Sequence, residues 1–419
     1  MEAKEVCELI ENNKNELFEL LCQLIRINSE NFETHGNEKA CAEYINQLCL
    51  EWGFDSDMYS PLEINNFSEH PDYLPGRGLE NRYNVTVRWP GKENRDELML
   101  MGHTDTVVIG DPANWTVDPL AGVIKDGKVW GRGASDDKYA LAASIFLMRL
   151  LKNNGFVPKA NMLFTAYCDE ERGGSHGALA AVMRYPSKYI VNMDSDDFIL
   201  WHCASGGQEA RYCYRTENTV DSAKITAEAI PVVMEVLNEF ALKRRTELEK
   251  NPFYMGTAIP ESSFRYMGFR AGNRGADLGI GEIDFVFYTD KSKSHIYEEY
   301  REIEKILAER LAPLGIIGEG IVPTTRFFHY AYSNPDCEAI KEMQRAAFEA
   351  TGRDLVPCGS CLSDMSVILK YGSNEAFSFG AGRGFEKQGG AHQPDEFIGC
   401  DDLLEFTKIM AVYILNVLG

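Results

Sequence analysis

The feature that most constrains the fold is an alternation of short apolar segments with amphipathic segments in two separate parts of the chain. The segments with strand character are 97–103, 161–168, 189–193 and 376–379. The segments with helical spacing of apolar residues are 138–152, 176–184, 336–351 and 401–418. Strands that alternate with helices in this way predict an α/β layer built on a partly parallel sheet.

A different pattern separates these two parts. From residue 206 onward the segments read strand 209–215, helix 222–245, strand 263–269, strand 282–288, helix 295–314 and strand 325–331. This βαββαβ order is that of a compact two-layer, ferredoxin-like domain. The sequence therefore predicts a discontinuous domain, residues 1–205 and 333–419, with a second domain inserted at 206–332.

Charge and composition narrow the classes of partner. Lys and Arg number 42 against 64 Asp and Glu, a net charge of −22. Such a field repels phosphate backbones and anionic lipid surfaces, which disfavours nucleic acids and membranes as partners. The N-terminal segment is charged and lacks the apolar core of a signal peptide. The 11 scattered cysteines, including the pair Cys358 and Cys361, are therefore expected to be unmodified thiols of a cytoplasmic protein.

Residue types that bind metals gather in five clusters, of which the first four fall at the ends of predicted strands. The clusters are Gly102-His103-Thr104-Asp105-Thr106, Gly131-Arg132-Gly133-Ala134-Ser135-Asp136-Asp137-Lys138, Cys168-Asp169-Glu170-Glu171-Arg172-Gly173-Gly174, Met193-Asp194-Ser195-Asp196-Asp197 and Gly389-Gly390-Ala391-His392-Gln393-Pro394-Asp395-Glu396. Each alone has a simpler explanation, such as helix capping by Asp136 or a solvated acidic loop. Together they predict a site at the carboxyl edge of the sheet, where ligands bind in open α/β folds.

The chemistry of these residue types favours a metal centre. The imidazole of His103 can bind a metal through one nitrogen while Asp105 holds the N–H of the other. Three consecutive acids, from Asp169 to Glu171, repel one another in a partly dry site, and a pair of cations would offset that repulsion.

The order of these motifs resembles that of the ArgE/DapE, aminoacylase, carboxypeptidase G and dipeptidase family of co-catalytic zinc metallopeptidases. The resemblance covers most of the chain and includes Ile27-Asn28-Ser29, the Trp-x-x-Asp-Pro segment that begins at Trp115, and the glycine-rich run from Gly127 to Gly133. The Ser-Asp-Asp-Lys variant is most similar to the dipeptidase and carnosinase branch. The resemblance implies a zinc-exopeptidase-like catalytic domain with a central mixed sheet flanked by helices. It also implies that the inserted domain is a lid or dimerisation domain, which leaves a homodimer open.

The resemblance also implies a role for each matching residue. The metal ligands would be His103 and Asp194 for one ion, Glu171 and His392 for the other, and Asp136 as the bridge between them. Asp105 would orient His103, and Glu170 would be the general base. Two divalent ions are implied, with Zn²⁺ expected and Mn²⁺ or Co²⁺ open. Such a pair activates water and polarises an amide carbonyl, and a neighbouring carboxylate transfers the proton to the leaving nitrogen.

Two departures from the family pattern affect substrate binding. Relatives commonly carry a lid histidine that stabilises the oxyanion, whereas residues 216–223 contain none; loss of one such donor can cost about 10²–10³ in rate. Asp364 matches a family motif but is not followed by its arginine. Arg270, Arg274 and Arg383 are the candidates to bind a substrate carboxylate instead.

The sequence thus predicts a hydrolase that cleaves an amide or peptide bond in a small substrate with a free carboxylate. A dipeptide is the expected substrate. Two alternatives stay open: an N-acyl amino acid deacylase, and a catalytically weak or inactive relative that acts as a binding module.

Overall fold

The computed structural model describes residues 1–32, 34–218, 220–254, 260–272, 279–359 and 362–419. The chain forms two compact units. The first comprises Met1–Cys203, Tyr332–Cys358 and Val367–Gly419, and the second comprises Ala204–Ala331 and Gly359–Ser366. The second unit thus takes in a late segment, Gly359–Ser366, that the sequence analysis assigned to the catalytic domain. Arg274 and Cys361 lie outside the described residues.

The helices of the described chain are α1 (Ala3–Arg26), α2 (Lys39–Glu51), α3 (Lys138–Asn153), α4 (His176–Arg184), α5 (Ser222–Leu248), α6 (Lys293–Leu311), α7 (Glu338–Thr351), α8 (Met365–Val367) and α9 (Cys400–Leu418). The strands are β1 (Asp55–Tyr59), β2 (Asn84–Trp89), β3 (Glu93–His103), β4 (Val123–Lys125), β5 (Lys128–Trp130), β6 (Ala160–Tyr167), β7 (Tyr189–Asn192), β8 (Leu200–Trp201), β9 (Cys203–Ala204), β10 (Gly206–Thr216), β11 (Phe264–Ala271), β12 (Ile280–Thr289), β13 (Ile316–Pro323), β14 (Ala331–Tyr332), β15 (Pro357–Cys358), β16 (Ala376–Phe379) and β17 (Phe397–Gly399). None of the helices in these described ranges is long and apolar enough to cross a membrane.

The first unit is built on an eight-stranded mixed sheet in the order β1-β2-β6-β3-β7-β16-β8-β15. β3 lies parallel to both β6 and β7, and β7 lies parallel to β16. β6 and β7 are buried along their whole length, which is why their sequences read as continuous apolar runs rather than as alternating ones. The predicted α/β fold with a mixed central sheet is confirmed.

Helices pack against this sheet. α1, α3, α7 and α9 contact one another, and α2 contacts β1 and β2. α3 is buried on nearly every side because its sequence, Lys-Tyr-Ala-Leu-Ala-Ala-Ser-Ile-Phe-Leu-Met, is apolar around the whole helix. A separate hairpin, β4 to β5, turns at Asp126 and Gly127 as predicted, and both residues have positive φ, 53° and 70°.

Lys138 is a buried cation at the beginning of α3. Its ammonium donates to the carbonyl oxygens of Leu24, at 2.9 Å, and Ile27, at 2.7 Å, at the end of α1. The carbonyl of Leu24 also accepts the N–H of Ile27 at 3.2 Å, and the negative end of the helix dipole favours a cation at these carbonyls. Burial lowers the pKa of Lys138. The lysine of the Ser-Asp-Asp-Lys motif therefore joins two helices, and its chemistry gives no support to one substrate over another.

We expect Lys138→Met to lower the free energy of unfolding by about 1–3 kcal/mol, because the carbonyls of Leu24 and Ile27 lose a charged donor that lies in a buried position. Lys152→Met is the matched control. Its ammonium donates to the carbonyls of Trp52 and Gly53 in a less buried position. Water can replace those bonds, so the control should lose less than about 1 kcal/mol. Urea unfolding followed by circular dichroism measures both, and equal losses would contradict this role for Lys138.

The second unit contains a four-stranded antiparallel sheet in the order β11-β12-β10-β13, with α5 and α6 packed on it. Alternate residues of β10 face these helices and are buried: Ala210, Tyr212 and Tyr214. Val233, Leu237 and Phe240 of α5 and Ile296 and Leu307 of α6 belong to the same apolar core. The element order is the predicted βαββαβ.

The position of the last strand of this unit was predicted wrongly. The sequence analysis placed it at 325–331, whereas β13 spans Ile316–Pro323. The predicted segment contains the aromatic residues Phe327 and Phe328, which are buried but lie after the strand. β13 contains Gly318, and glycine disfavours strands. A Cβ at Gly318 would lie 2.5 Å from the hydroxyl oxygen of Tyr212, so the glycine makes room for that ring.

Candidate metal centre

The strand order of the first unit brings the predicted ligands to one edge of the sheet. β3 ends at His103, β6 ends just before the acidic run at Asp169, and β7 ends just before Asp194. Because β6 and β7 are the parallel neighbours of β3, their carboxyl ends lie side by side.

Asp136 lies between the two histidines. Its Oδ1 is 2.9 Å from Nε2 of His103, and its Oδ2 is 3.2 Å from Nε2 of His392. Nε2 of His392 is also 2.7 Å from Oε2 of Glu171. Ligand atoms of His103, Asp136 and Glu171 all lie within 4.8 Å of one another. Residues that are more than 250 positions apart in the chain therefore converge on one small volume.

The carboxylates strongly favour cations in this volume. Burial alone would lower the pKa of His103, but its hydrogen bond to Asp136 and the charges of Asp136, Asp105 and Glu170 raise that pKa well above its usual value. Burial likewise opposes the effect at His392, where Glu171 and Asp136 raise the pKa to about 11. Burial opposes ionisation of Asp136, yet the two histidines hold its pKa well below the usual range. The potential that stabilises a proton here also stabilises a metal ion.

Asp105 does not contact His103 in the way that the sequence analysis expected. Nδ1 of His103 lies 2.9 Å from the main-chain carbonyl oxygen of Asp105, whereas the carboxylate is 3.7 Å away. The carboxylate instead accepts the backbone N–H groups of Glu170 and Glu171, at 3.0–3.1 Å. Asp105 thus orients the imidazole through its backbone and holds the glutamate turn through its side chain.

Glu170, Glu171 and Asp194 take different positions at this edge. Oε1 of Glu171 accepts the backbone N–H of Val107 at 2.9 Å, which leaves Oε2 directed at His392. The charge of Glu170 acts on the pKa of His103. Burial raises the pKa of Asp137 well above its usual value, and the charge of Asp194 raises it further. Asp194 therefore lies close to the turn that carries Asp136, and its assignment as a ligand stays a prediction.

Glu396 supports the site but received no role in the sequence analysis. Its carboxylate is fully buried, accepts the backbone N–H groups of Ser135 and Asp136 at 2.8 and 3.1 Å, and pairs with Arg132 at 2.5 Å. It thereby fixes the turn that presents Asp136. The only signal in the sequence was its place at the end of the fifth cluster, four residues after His392.

Arg383 and Arg270, the two candidates for a substrate carboxylate that lie within the described residues, already have protein partners. Arg383 donates to the carbonyl of Gln388 at 2.9 Å and lies over the ring of Phe397. Arg270, in the second unit, pairs with Glu282 at 2.7 Å.

The donor set fits divalent metal ions. Nε2 of both histidines is directed at carboxylate oxygens, while Nδ1 of His103 is held by a carbonyl, the arrangement that orients a metal-binding imidazole. A mixed set of imidazole and carboxylate ligands suits Zn²⁺ and also accommodates Mn²⁺ or Co²⁺.

Comparison with known proteins identifies the family. The model of Peptidase family M20/M25/M40 matches residues 99–416, about three quarters of the chain. The chain belongs to the M20 peptidase family. The match begins in β3 and ends in α9, so it includes every predicted ligand, and it confirms the resemblance drawn from motif order. The protein is thus an M20 metallopeptidase or amidohydrolase.

Individual M20 relatives differ in what they do. An uncharacterised metallohydrolase of Methanocaldococcus jannaschii is 24% identical over 425 residues, which cover 94% of this chain and 97% of that protein. A succinyl-diaminopimelate desuccinylase of Wigglesworthia glossinidia brevipalpis is 37% identical over 89 residues, 21% of this chain and 24% of that protein. The structure of the dipeptidase Dug1p from Saccharomyces cerevisiae has a TM-score of 0.73 at 16% identity and covers 98% of both chains, which shows a shared fold.

Proposed function

We propose that this M20 peptidase hydrolyses the amide or peptide bond of a small carboxylate-bearing substrate, and that the substrate is a dipeptide. The observation that carries the proposal is the position of Asp136, with one carboxylate oxygen directed at each of two imidazoles. A carboxylate placed in this way would bridge two adjacent cations bound by those imidazoles.

In this proposal the residues divide into metal ligands and a base. His103 and Asp194 would hold one divalent ion, Glu171 and His392 would hold the other, and Asp136 would be a ligand of both; Zn²⁺ is the favoured metal. When bound, such a pair supplies an acidified water and polarises the amide carbonyl. Glu170 accepts the proton of the attacking water and delivers it to the leaving nitrogen. Its backbone N–H is held by Asp105, which fixes the base beside the ligand Glu171.

The loop that carries Phe385, whose ring contacts His392, favours a substrate with a free ammonium group. A Cβ at Gly384 would lie 2.8 Å from Oδ2 of Asp196 and 2.9 Å from Oε1 of Glu386, so two carboxylates crowd this loop. Burial and the charge of Asp197 raise the pKa of Asp196 to about 6, even though Lys387, which pairs with Asp197 at 2.6 Å, lowers it. An added cation relieves such crowding, and the amino group of a dipeptide is one.

Two alternatives have their own support. The ring of Phe385 is about half exposed and meets the imidazole of His392 edge-on, with 4.8 Å between centroids, so it could contact an apolar acyl group. The desuccinylase relative also favours deacylation of an N-acyl amino acid. The absence of a lid histidine from residues 216–223 supports the third candidate, a binding module with little activity.

Three substrates that release the same leucine separate these alternatives: alanyl-leucine, N-acetyl-leucine and N-succinyl-leucine. Each is assayed with Zn²⁺, Mn²⁺ or Co²⁺ added singly to metal-free protein. We expect kcat/KM for alanyl-leucine to exceed that of either acyl substrate at least about tenfold, the effect of roughly 1.4 kcal/mol of transition-state binding. Faster cleavage of an acyl substrate would support the deacylase, and no cleavage by metal-loaded protein would support the binding module.

We also propose that the protein is cytoplasmic and that two copies form a homodimer. Every cysteine within the described residues is a free thiol, as expected of a reducing cytoplasm. β11 is an edge strand of the second unit, and its Met267 and Phe269 are 57% and 50% exposed. These apolar side chains favour pairing of two copies through the second unit.

A further inference from the structure

We propose that Asn31 and Arg82 are positioning residues for the proposed hydrolysis. They hold the carboxylates of Asp105 and Asp169. The turn that begins at Asp169 is bound by Asp105 and thereby directs Glu171 at the metal site and Glu170 at the water that attacks the substrate. This inference rests on the proposed function, and neither residue belongs to a motif noted in the sequence.

The first contact of this network lies at Asp105. Its Oδ2 accepts Nδ2 of Asn31 at 2.6 Å and the N–H groups of Glu170 and Glu171 at 3.0 Å each. Asp105 is fully buried, so these donors take the place of water around its charge. A shift of the Asp105 carboxylate would therefore shift the backbone of both glutamates.

Asn31 has its orientation fixed by Arg82. Oδ1 of Asn31 accepts Nη2 of Arg82 at 2.9 Å, and a guanidinium can only donate, so the amide nitrogen must face Asp105. Nη1 of Arg82 in turn binds Oδ1 of Asp169 at 2.5 Å. A continuous series of hydrogen bonds, Asp105–Asn31–Arg82–Asp169, results. It links Asp105, which binds the N–H groups of the turn, to Asp169, the first residue of the turn.

Asp169 is held firmly at the beginning of the turn. Its φ of 63° is a left-handed value, which is uncommon for non-glycine residues although aspartate tolerates it better than most. Its carboxylate binds Nη2 of Arg77 at 2.5 Å and Nδ1 of His176 at 2.6 Å. The backbone N–H of Leu74 donates to Nε2 of His176, so Nδ1 carries the proton given to Asp169.

A buried ion network can also serve stability alone, and then its loss would weaken folding without a specific effect on turnover. The positioning role makes a different prediction. The side chain of Asn31 touches neither the predicted metal ligands nor the base. It contacts Asp105 and Arg82, and its Nδ2 also lies 3.4 Å from Oδ1 of Asp169. Its loss should therefore impair the chemical step more than substrate binding.

The test compares Asn31→Ala with Asn161→Ala. Asn161 is an equally buried asparagine that accepts the N–H of Gly91 at 3.0 Å and donates to Asp96 at 2.9 Å. It lies at the beginning of β6, roughly 20 Å along the strand from the site. The melting temperatures of the two variants should fall by similar amounts. Asn31→Ala should also lose about 10–100-fold in kcat on the cleaved substrate, with KM changed less than about threefold.

Co²⁺-loaded protein provides a readout that needs no substrate. The visible absorption of bound Co²⁺ should change in Asn31→Ala and match wild type in Asn161→Ala, because only the first variant moves Glu171. If Asn31→Ala does not fold, Asn31→Ser is measured in the same way, with a smaller change in the same direction. An Asn31 variant whose kcat and Co²⁺ spectrum equal those of Asn161→Ala would overturn the proposal. If wild type cleaved none of the substrates, the proposed function would fail, and the spectra would still decide the positioning role.

Discussion

Replacing Glu170 by glutamine is expected to lower kcat by about 10²–10⁴-fold while the bound metal stays in place. Glutamine keeps the shape of the side chain but cannot accept a proton from water. The backbone N–H of residue 170 would still bind Asp105, so the neighbouring Glu171 would keep its position. Hydrolysis rates and metal content, measured by mass spectrometry on the same samples, test both parts of this prediction.

Two controls make the result specific. Glu171→Gln, one residue away, should lower metal content as well as activity, because Glu171 contacts His392 directly. Glu80→Gln changes an exposed carboxylate of the same type and should alter neither. Wild-type hydrolysis by Glu170→Gln would refute its assignment as general base, and loss of metal from that variant would make it a ligand instead.

Replacing His392 by alanine is expected to lower the metal content from two ions per chain toward one and to reduce kcat at least about 10²-fold. The imidazole lies 2.7 Å from Glu171 and 3.2 Å from Asp136, where we propose that it supplies the nitrogen ligand of one ion. His103 and Asp136 stay in contact without it, and the other ion should remain. Titration of metal-free protein with Zn²⁺ in a calorimeter counts the sites.

His35→Ala is the matched control for this experiment. His35 is an exposed histidine whose ring stacks on Phe32 at 4.6 Å between centroids. Loss of the His35 side chain should leave the metal content at two ions per chain. A His392→Ala variant that still bound two ions with wild-type affinity would remove His392 from the ligand set.

The position of the candidate site was predictable because short motifs follow strand ends. His103, Glu171 and Asp194 come directly after apolar segments, and parallel pairing of those segments places them at one edge. His392 was predictable only from the order of motifs, since it follows no neighbouring strand of the large sheet. The family resemblance supplied this part of the prediction, and local pattern did not.

The supporting contacts were not predictable because they join distant segments. Asn31 meets Asp105 across 74 positions, and Glu396 meets Asp136 across 260. No local periodicity or spacing relates such pairs, and each residue alone is an ordinary polar side chain. Asp105 illustrates the same limit. The sequence implied that Asp105 contacts His103, but it did not indicate that the backbone carbonyl makes this contact while the carboxylate binds the turn that carries Glu170 and Glu171.

Errors in the second unit have a related cause. The strand was predicted at 325–331, a segment that contains Phe327 and Phe328, whereas the observed strand contains Gly318 and Gly320. Strand preference reflects packing against neighbours. At β13 the packing of Tyr212 against Gly318 decides the outcome, and that neighbour is 106 residues away in the chain.

Anomalous diffraction from crystals grown with Zn²⁺, recorded above and below the zinc absorption edge, tests the central claim most directly. The account predicts two zinc peaks about 3.5–4 Å apart, with Asp136 between them and with His103 and His392 each bound to a different ion. A single peak, or peaks that lie away from His103, Asp136 and His392, would contradict it.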